Sequence, residues 1–479
     1  ELFSHTKKDS PEMKAVSKNV AGDGLAAWHE NEIDPLRLGL ATSTEMEDGI
    51  AWSRLPLHGV CVSRRKQFRD LRTVDYSPDP FQEDEATDFT PKTDLRPLLA
   101  GANAFIECDC VLRLDFGLVF TGSLSIEMSM PPGVEVSFAT GEASEPLRTY
   151  PLENIGGFRF VPRIEARGFT AFRFAWLRFE NVSSAIRIFK IEGLMRHSPL
   201  PYAGSFSCSD PLLERIWNVC AYSARLCVDT AFERDCGKGT LVGNGAMQRM
   251  ALKNAGGLKT DTVFTALAFD RVDRFPWAGD SRFIQLAILH AFGAARECRE
   301  AINYFWPRGN GDWADFNYSC VPYILDWGLA VIKYSEWSGD DGELRARLPQ
   351  LKKIAEACRG KIPSGWLFFD WDSRITISPC SSKSTETLVN EPEAKAAFKM
   401  KLLEFASEAG RILRLFGEEE EASWFESFAV ELRGRYLKEN PVWMEHLGLH
   451  AATNAIIAGM GSASERQALF KRLFSDPVS

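Results

Sequence analysis

The stretch "GSFSCSDPLLERIWNVCAYSARLCVDT", residues 204–230, marks where the chain changes its period. Upstream, apolar residues recur at every second position. Downstream, they recur every three to four. Within the stretch, Asp210 stands directly before Pro211, the pairing of cap and first-turn proline that opens a helix. The residues that follow carry the 3.6-residue period. A run of strands followed by a run of helices reads as two separate domains, because each kind of element must bury its apolar face against its own partners.

Working back toward the N-terminus, residues 99–203 alternate apolar and polar side chains in short segments. "AFIECDCVLRLDFG", "GSLSIEMSM", "VEVSFATGEA", "TAFRFAWLRFEN" and "AIRIFKIEGLMRH" are the clearest, and Pro131-Pro132-Gly133 is a turn between two of them. Six to eight strands are expected, packed as an antiparallel, jelly-roll-like β-sandwich. Residues 1–98 are polar and read as an irregular or β segment. They end in the proline-rich, acidic "YSPDPFQEDEATDFTPKTDLRPL", a linker or a meander wrapped on a neighbour.

Forward of residue 204 the periodicity places further helices at about 281–305, 321–338, 342–359, 394–416, 419–437, 448–460 and 463–474, with Gly417 as a stop. Sequential helix pairs with strand-free connections suggest a toroid or bundle over 204–479. The glycine- and lysine-rich piece between Asp229 and Asp270 reads as a loop. Its "GKGT" lacks the spacing glycine and preceding strand of a phosphate loop.

Composition narrows the functions. A net charge of −9 over 479 residues argues against nucleic acid or an anionic membrane surface as the main partner. No run approaches the ~18 apolar residues of a membrane span. Eleven cysteines without CxxC pairs argue against a disulfide framework or zinc site and for a reducing compartment, the cytoplasm. Residue 1 is Glu rather than Met, which leaves a removed signal peptide open. Asn181-Val-Ser183 and Asn317-Tyr-Ser319 match the glycosylation pattern, a short motif that often occurs by chance. Seven scattered histidines give no metal-ligand spacing, so neither metal nor cofactor is expected. Thirteen Trp and 33 Phe supply both core and surfaces on which sugar rings stack.

The chemistry concentrates in "DRVDRFPWAGDSRF", residues 270–283. Glycoside hydrolysis needs two carboxyl groups, one protonated and one ionised. Asp273 is the sharper candidate for the proton donor: flanking arginines favour its charged form, whereas burial by Phe275 and Trp277 favours the neutral one. Asp280 precedes the apolar run "FIQLAILHAF" and reads first as a helix cap, a role compatible with holding sugar hydroxyls. Trp277 is either core or a stacking platform.

These two phrases, 204–230 and 270–283, resemble the α-L-rhamnosidases of glycoside hydrolase family 78. The weaker likeness extends over most of residues 100–479, through "PYILDWGLAVIKYSEWSGD", "GWLFFDWDS" and "GLHAATNAIIAGM". The resemblance implies a β-sandwich followed by an (α/α)6 toroid and an inverting hydrolase that releases terminal rhamnose from a glycoside or polysaccharide. It assigns Asp273 as the general acid. Asp270, Arg274, Trp277, Asp280, Asp370 and Trp371 become the residues that bind the sugar. Inversion requires the two carboxyls to stand ~6.5–9.5 Å apart, with water between them.

The sequence departs from the family pattern in three places. Ala268 stands where the family has an aspartate, the glycine-rich insert separates segments that are nearly continuous in relatives, and the water-activating glutamate lies in a phrase beyond Ser479. The toroid is therefore expected to be incomplete at its C-terminal end, with apolar helix faces that an oligomer or other partner would cover. The alternative reading is a non-catalytic carbohydrate-binding remnant. Glu445 and Glu336 are the substitutes available for the missing base, and Glu336 reads as a solvated helix residue.

Overall fold

The computed structural model describes residues 45–47, 50–63, 95–142, 148–154, 159–162, 170–230, 263–265, 278–305, 322–360, 392–444 and 447–474. The chain divides into two compact units, Glu1–His197 and Ser198–Ser479.

The first unit is an antiparallel sheet. Its strands are β1 (Glu45–Glu47), β2 (Ile50–Pro56), β3 (Gly59–Ser63), β4 (Ala104–Ile106), β5 (Cys110–Ser129), β6 (Glu135–Gly141), β7 (Arg148–Asn154), β8 (Arg159–Pro162), β9 (Thr170–Glu180) and β10 (Ile186–His197), with one helical turn, α1 (Arg96–Leu99), before β4. Pairing runs from β5 through β8, β7, β6 and β9 and returns to β5, so these strands close a circuit. One strand can serve both ends because β5 is 20 residues long. Its pairing with β9 breaks between Asp115 and Phe120. There Asp115 accepts the Gly117 amide at 2.7 Å and a two-pronged bond from buried Arg173 at 2.9 and 3.0 Å.

The interior is aromatic. Phe116, Phe120 and Phe172 meet edge-on or tilted, with centroids 4.5–5.9 Å apart, and Phe138 joins at 6.3 Å. β2 and β3 pair with β10 and β5, so part of the N-terminal segment belongs to this sheet. Their alternation is only five to seven residues long between polar neighbours, which hides it in the sequence.

The second unit begins as the sequence indicates. Helix α2 (Pro211–Leu226) has Pro211 in its first turn, and the Asp210 carboxylate accepts from the Leu212 amide at 2.9 Å. The loop expected between Asp229 and Asp270 lies mostly outside the described residues; on either side of it β11 (Val228–Thr230) pairs with β12 (Val263–Thr265). The helix expected over 281–305 is two, α3 (Ala278–Phe292) and α4 (Ala295–Phe305), broken at Gly293, whose φ of 61° no helix interior allows. Then follow α5 (Pro322–Ser338), α6 (Asp341–Gly360), α7 (Pro392–Leu415), α8 (Glu419–Glu439), α9 (Leu449–Ile457) and α10 (Ala463–Phe474).

Helices α3, α5, α7 and α9 form a row of successive neighbours, with α4, α6, α8 and α10 packed on its members. No described helix is long and apolar enough to cross a membrane. Helix α2 exposes Leu212, Leu213, Ile216 and Val219 along one face.

Helix α10 opens with a reciprocal cap. The Glu465 carboxylate accepts the Ser462 amide at 2.7 Å while the Ser462 hydroxyl faces the Glu465 amide at 3.3 Å, and the Trp443 indole donates to the other Glu465 oxygen at 3.0 Å. The Ser462 amide first, then the indole and the Ser462 hydroxyl, hold the Glu465 carboxyl down at about 2. A lowered carboxyl contributes stability above its unfolded value and loses it as pH falls through the folded one. The Trp443 indole N–H resonance should therefore hold steady through the ordinary carboxyl range and move only toward pH about 2. A midpoint near 4.5 would contradict the cage. In the first unit, Phe120→Ala should lower the free energy of urea unfolding by about 3–5 kcal/mol, the range for truncating a fully buried aromatic.

Candidate functional site

Three helices of the row run in the same direction. Gly279 of α3 lies against the Tyr323 ring of α5, and one turn further along Arg282 bonds Asp326. In the same way Gly328 of α5 meets Phe405 of α7, Lys333 meets Glu408, and Glu336 meets Arg411. The N-terminal ends of α3 and α5 therefore lie side by side, each with a partial positive charge from its unpaired amides.

Asp280 is the third residue of α3, half-buried. It is not the cap that its position before an apolar run suggests. The helix begins two residues earlier, so the carboxylate sits within the first turn, where the helix dipole favours its ionised form. No side chain fits between Gly279 and Tyr323: a Cβ there would lie 2.4 Å from the ring. That contact sets the depth of Asp280's turn against α5.

Beneath this turn four charged side chains meet out of water. Arg282, 7% exposed, donates to Asp326 at 3.1 Å and also to Glu404 of α7. Lys401 of α7 reaches both oxygens of Asp326 at 2.8 and 2.6 Å. Two cations and two carboxylates thus balance within the core, as buried charges must. Burial pushes the Glu404 carboxyl above its ordinary range against the pull of Arg282 and Lys401. For Arg282 burial works against the charge, yet Glu404 and Asp326 outweigh it and hold the guanidinium above its ordinary range.

The sequence reading met Arg282 only as one of the charges of residues 270–283 and found none of the other three. The available signal was an acid at a core position: Asp326 within the apolar run "YILDWGLAVI" and Glu404 within "KLLEFA". The start of the first phrase packs on the C-terminal end of α3, the helix into which the second phrase leads. The Ala203 and Gly204 amides donate to the Ala291 carbonyl near the end of α3 at 2.9 and 3.0 Å, and Tyr202 packs on Phe292 with centroids 4.8 Å apart. Arg225 of α2 covers both rings and donates to the Ser198 carbonyl at 3.2 Å.

Asp270, Asp273, Arg274, Trp277, Asp370, Trp371 and Glu445 lie outside the described residues. Glu336, expected on a solvated face, is instead fixed between helices. It accepts from Lys333 at 2.9 Å and from Arg411 at 2.7 Å, and although burial opposes this, those two cations hold its carboxyl below the ordinary range. A carboxylate held low by two cations is a weak base toward water. Among the described residues, no three His, Cys, Asp or Glu side chains gather as metal ligands would.

No family model matches the sequence, and no curated protein matches it. Solved structures do. Several of the structures it resembles are rhamnosidases. A rhamnosidase from Klebsiella oxytoca with rhamnose bound superposes with a TM-score of 0.58 at 15% identity, over 89% of this chain and 80% of that one. The family 78 rhamnosidase of Bacillus sp. GL1 does so with a TM-score of 0.55 at 18% identity, over 80% of this chain and 40% of that one. At such identities the likeness shows a shared fold.

Removing one member of the buried charge cluster should cost far more than a surface ion pair. Asp326→Asn takes from Arg282 and Lys401 the carboxylate they share, and urea unfolding should report a loss of about 3–5 kcal/mol. A loss under about 1 kcal/mol, the surface range, would show that water reaches the cluster.

Proposed function

We propose that this protein is an inverting glycoside hydrolase that releases terminal α-L-rhamnose from glycosides or polysaccharides. The observation that carries the reading is the fold shared over 89% of the chain with a rhamnosidase that holds rhamnose. The phrase from Asp270 to Phe283 supports it by leading into α3, whose first turn holds Asp280 beside the start of α5. On this reading the row of helices is an arc of an (α/α)6 toroid, and the helix N-termini form the floor of the sugar site.

The mechanism follows from the roles assigned by sequence. Asp273 protonates the glycosidic oxygen as the bond to the anomeric carbon breaks, and a carboxylate on the opposite face takes a proton from the attacking water. Asp280 accepts hydrogen bonds from the rhamnose hydroxyls, with the α3 dipole keeping it ionised. Arg274, Trp277, Asp370 and Trp371 line the same subsite, and Asp270 joins them. The buried cluster below holds α3 and α5 in register while the substrate enters.

The test is hydrolysis of p-nitrophenyl α-L-rhamnopyranoside and of a rhamnoside with a poor leaving group. Asp273→Asn should lower turnover of the poorly activated substrate by about 10²–10⁴-fold, the range for losing a general acid, and should spare the activated one more. Asp280→Asn should act mainly through weaker rhamnose binding. Unchanged turnover in Asp273→Asn would sink the assignment of the acid. Rhamnose binding without hydrolysis by the folded wild-type chain would leave a binding protein in place of an enzyme.

A further inference from the structure

Phe283 is a large apolar side chain that the fold leaves in water. It is the sixth residue of α3 and 63% exposed, whereas Ala278, Gly279, Ser281 and Arg282 before it are buried. A ring so exposed contributes little to the core, because burial is what makes an aromatic stabilising. Its place on the helix points to another use.

Phe283 follows Asp280 by three residues. On a helix that spacing puts two side chains on one face, with Cβ atoms ~5–6 Å apart. Long side chains of a helix lean toward its N-terminus, so the Phe283 ring is directed over the turn that carries Asp280. The Arg282 guanidinium lies 5.1 Å from the ring centroid and is itself held by Asp326 and Glu404. One side of the ring is therefore backed by a fixed cation, and the remainder is open. A carboxylate and an apolar surface stand side by side, at a spacing that a single pyranose can bridge.

Rhamnose has both matching features. It carries hydroxyls around the ring, and a methyl group where mannose carries a hydroxymethyl. On the functional reading above, on which this inference rests, Asp280 accepts from the hydroxyls. We propose that Phe283 receives the methyl group of the same sugar and so sets the preference for a deoxyhexose over the parent hexose. Against the ring a methyl group leaves water favourably, whereas a hydroxymethyl would give up a hydrogen bond to water that phenylalanine cannot replace. Discrimination by one such contact is modest, about tenfold where the wall is a single ring.

The experiment compares p-nitrophenyl α-L-rhamnopyranoside with p-nitrophenyl α-L-mannopyranoside, for the wild-type chain, Phe283→Ala and Phe283→Leu. The wild type should favour the rhamnoside in kcat/KM by about tenfold or more. Phe283→Ala should lose most of that preference by acting on the rhamnoside alone, and Phe283→Leu should retain it. Calorimetry with L-rhamnose and L-mannose reads the same ratio from affinities, so a chain that binds without turnover is tested too. Equal use of the two sugars by the wild type, an unaltered ratio in Phe283→Ala, or an equal loss on both sugars would overturn the proposal and leave the rhamnosidase reading in place. A ring that only shields the buried charges gives the unaltered ratio together with a lower urea midpoint. A chain that neither hydrolyses nor binds rhamnose overturns the functional reading and this inference with it.

Discussion

The meeting of Arg282, Asp326, Lys401 and Glu404 is the constraint around which the helical unit is arranged. Buried ion pairs are poor sources of stability, since desolvation cancels most of their attraction. Their effect here is on register. A slide of one turn, ~5.4 Å, between α3 and α5 or between α5 and α7 would leave a carboxylate and a cation unpaired in the core. Apolar packing alone tolerates such slides far better. The cluster therefore fixes the heights of the first turns of α3 and α5, and with them the placement of Asp280.

The same logic of satisfying buried groups governs the β unit. A long strand that serves two ends of a circuit must bend, and bending breaks its ladder. At the break Asp115 accepts the Gly117 amide, and Arg173 pins the Asp115 carboxylate in place. The phenylalanine cluster then fills the space inside the bend, with Phe116 and Phe120 contributed by the irregular stretch itself. In both units a charged pair of low intrinsic value decides the geometry, and apolar burial supplies the free energy that holds it.

Much of this was legible in the residues. The change of period at 204–230, the Asp210–Pro211 helix start and the Gly417 stop are local signals, and local signals survive in one dimension. What was hidden is non-local. Lys401 and Glu404 look like surface charges of an amphipathic helix until α3 supplies Arg282, 122 residues away from Glu404 in sequence. Glu336 looks solvated until α7 brings Arg411. The pairing of β11 with β12 spans the glycine-rich insert and leaves only three-residue strands to read. Asp280 was read as a cap because its apolar run begins at Phe283, while the helix begins at Ala278, where small residues carry no periodicity.

That last difference bears on chemistry. A cap aspartate lends an oxygen to the backbone amides two and three residues ahead. An aspartate in the third position of the helix instead holds its carboxylate at the positive end of the dipole, which favours the charged, acceptor-only form. Sugar hydroxyls are donors that such a form suits. Its turn is held on one side by Gly279 against Tyr323 and from below by Arg282 against Asp326. In the sugar site proposed above, a group whose backbone turn is already fixed loses less entropy on meeting a ligand than one on a free loop.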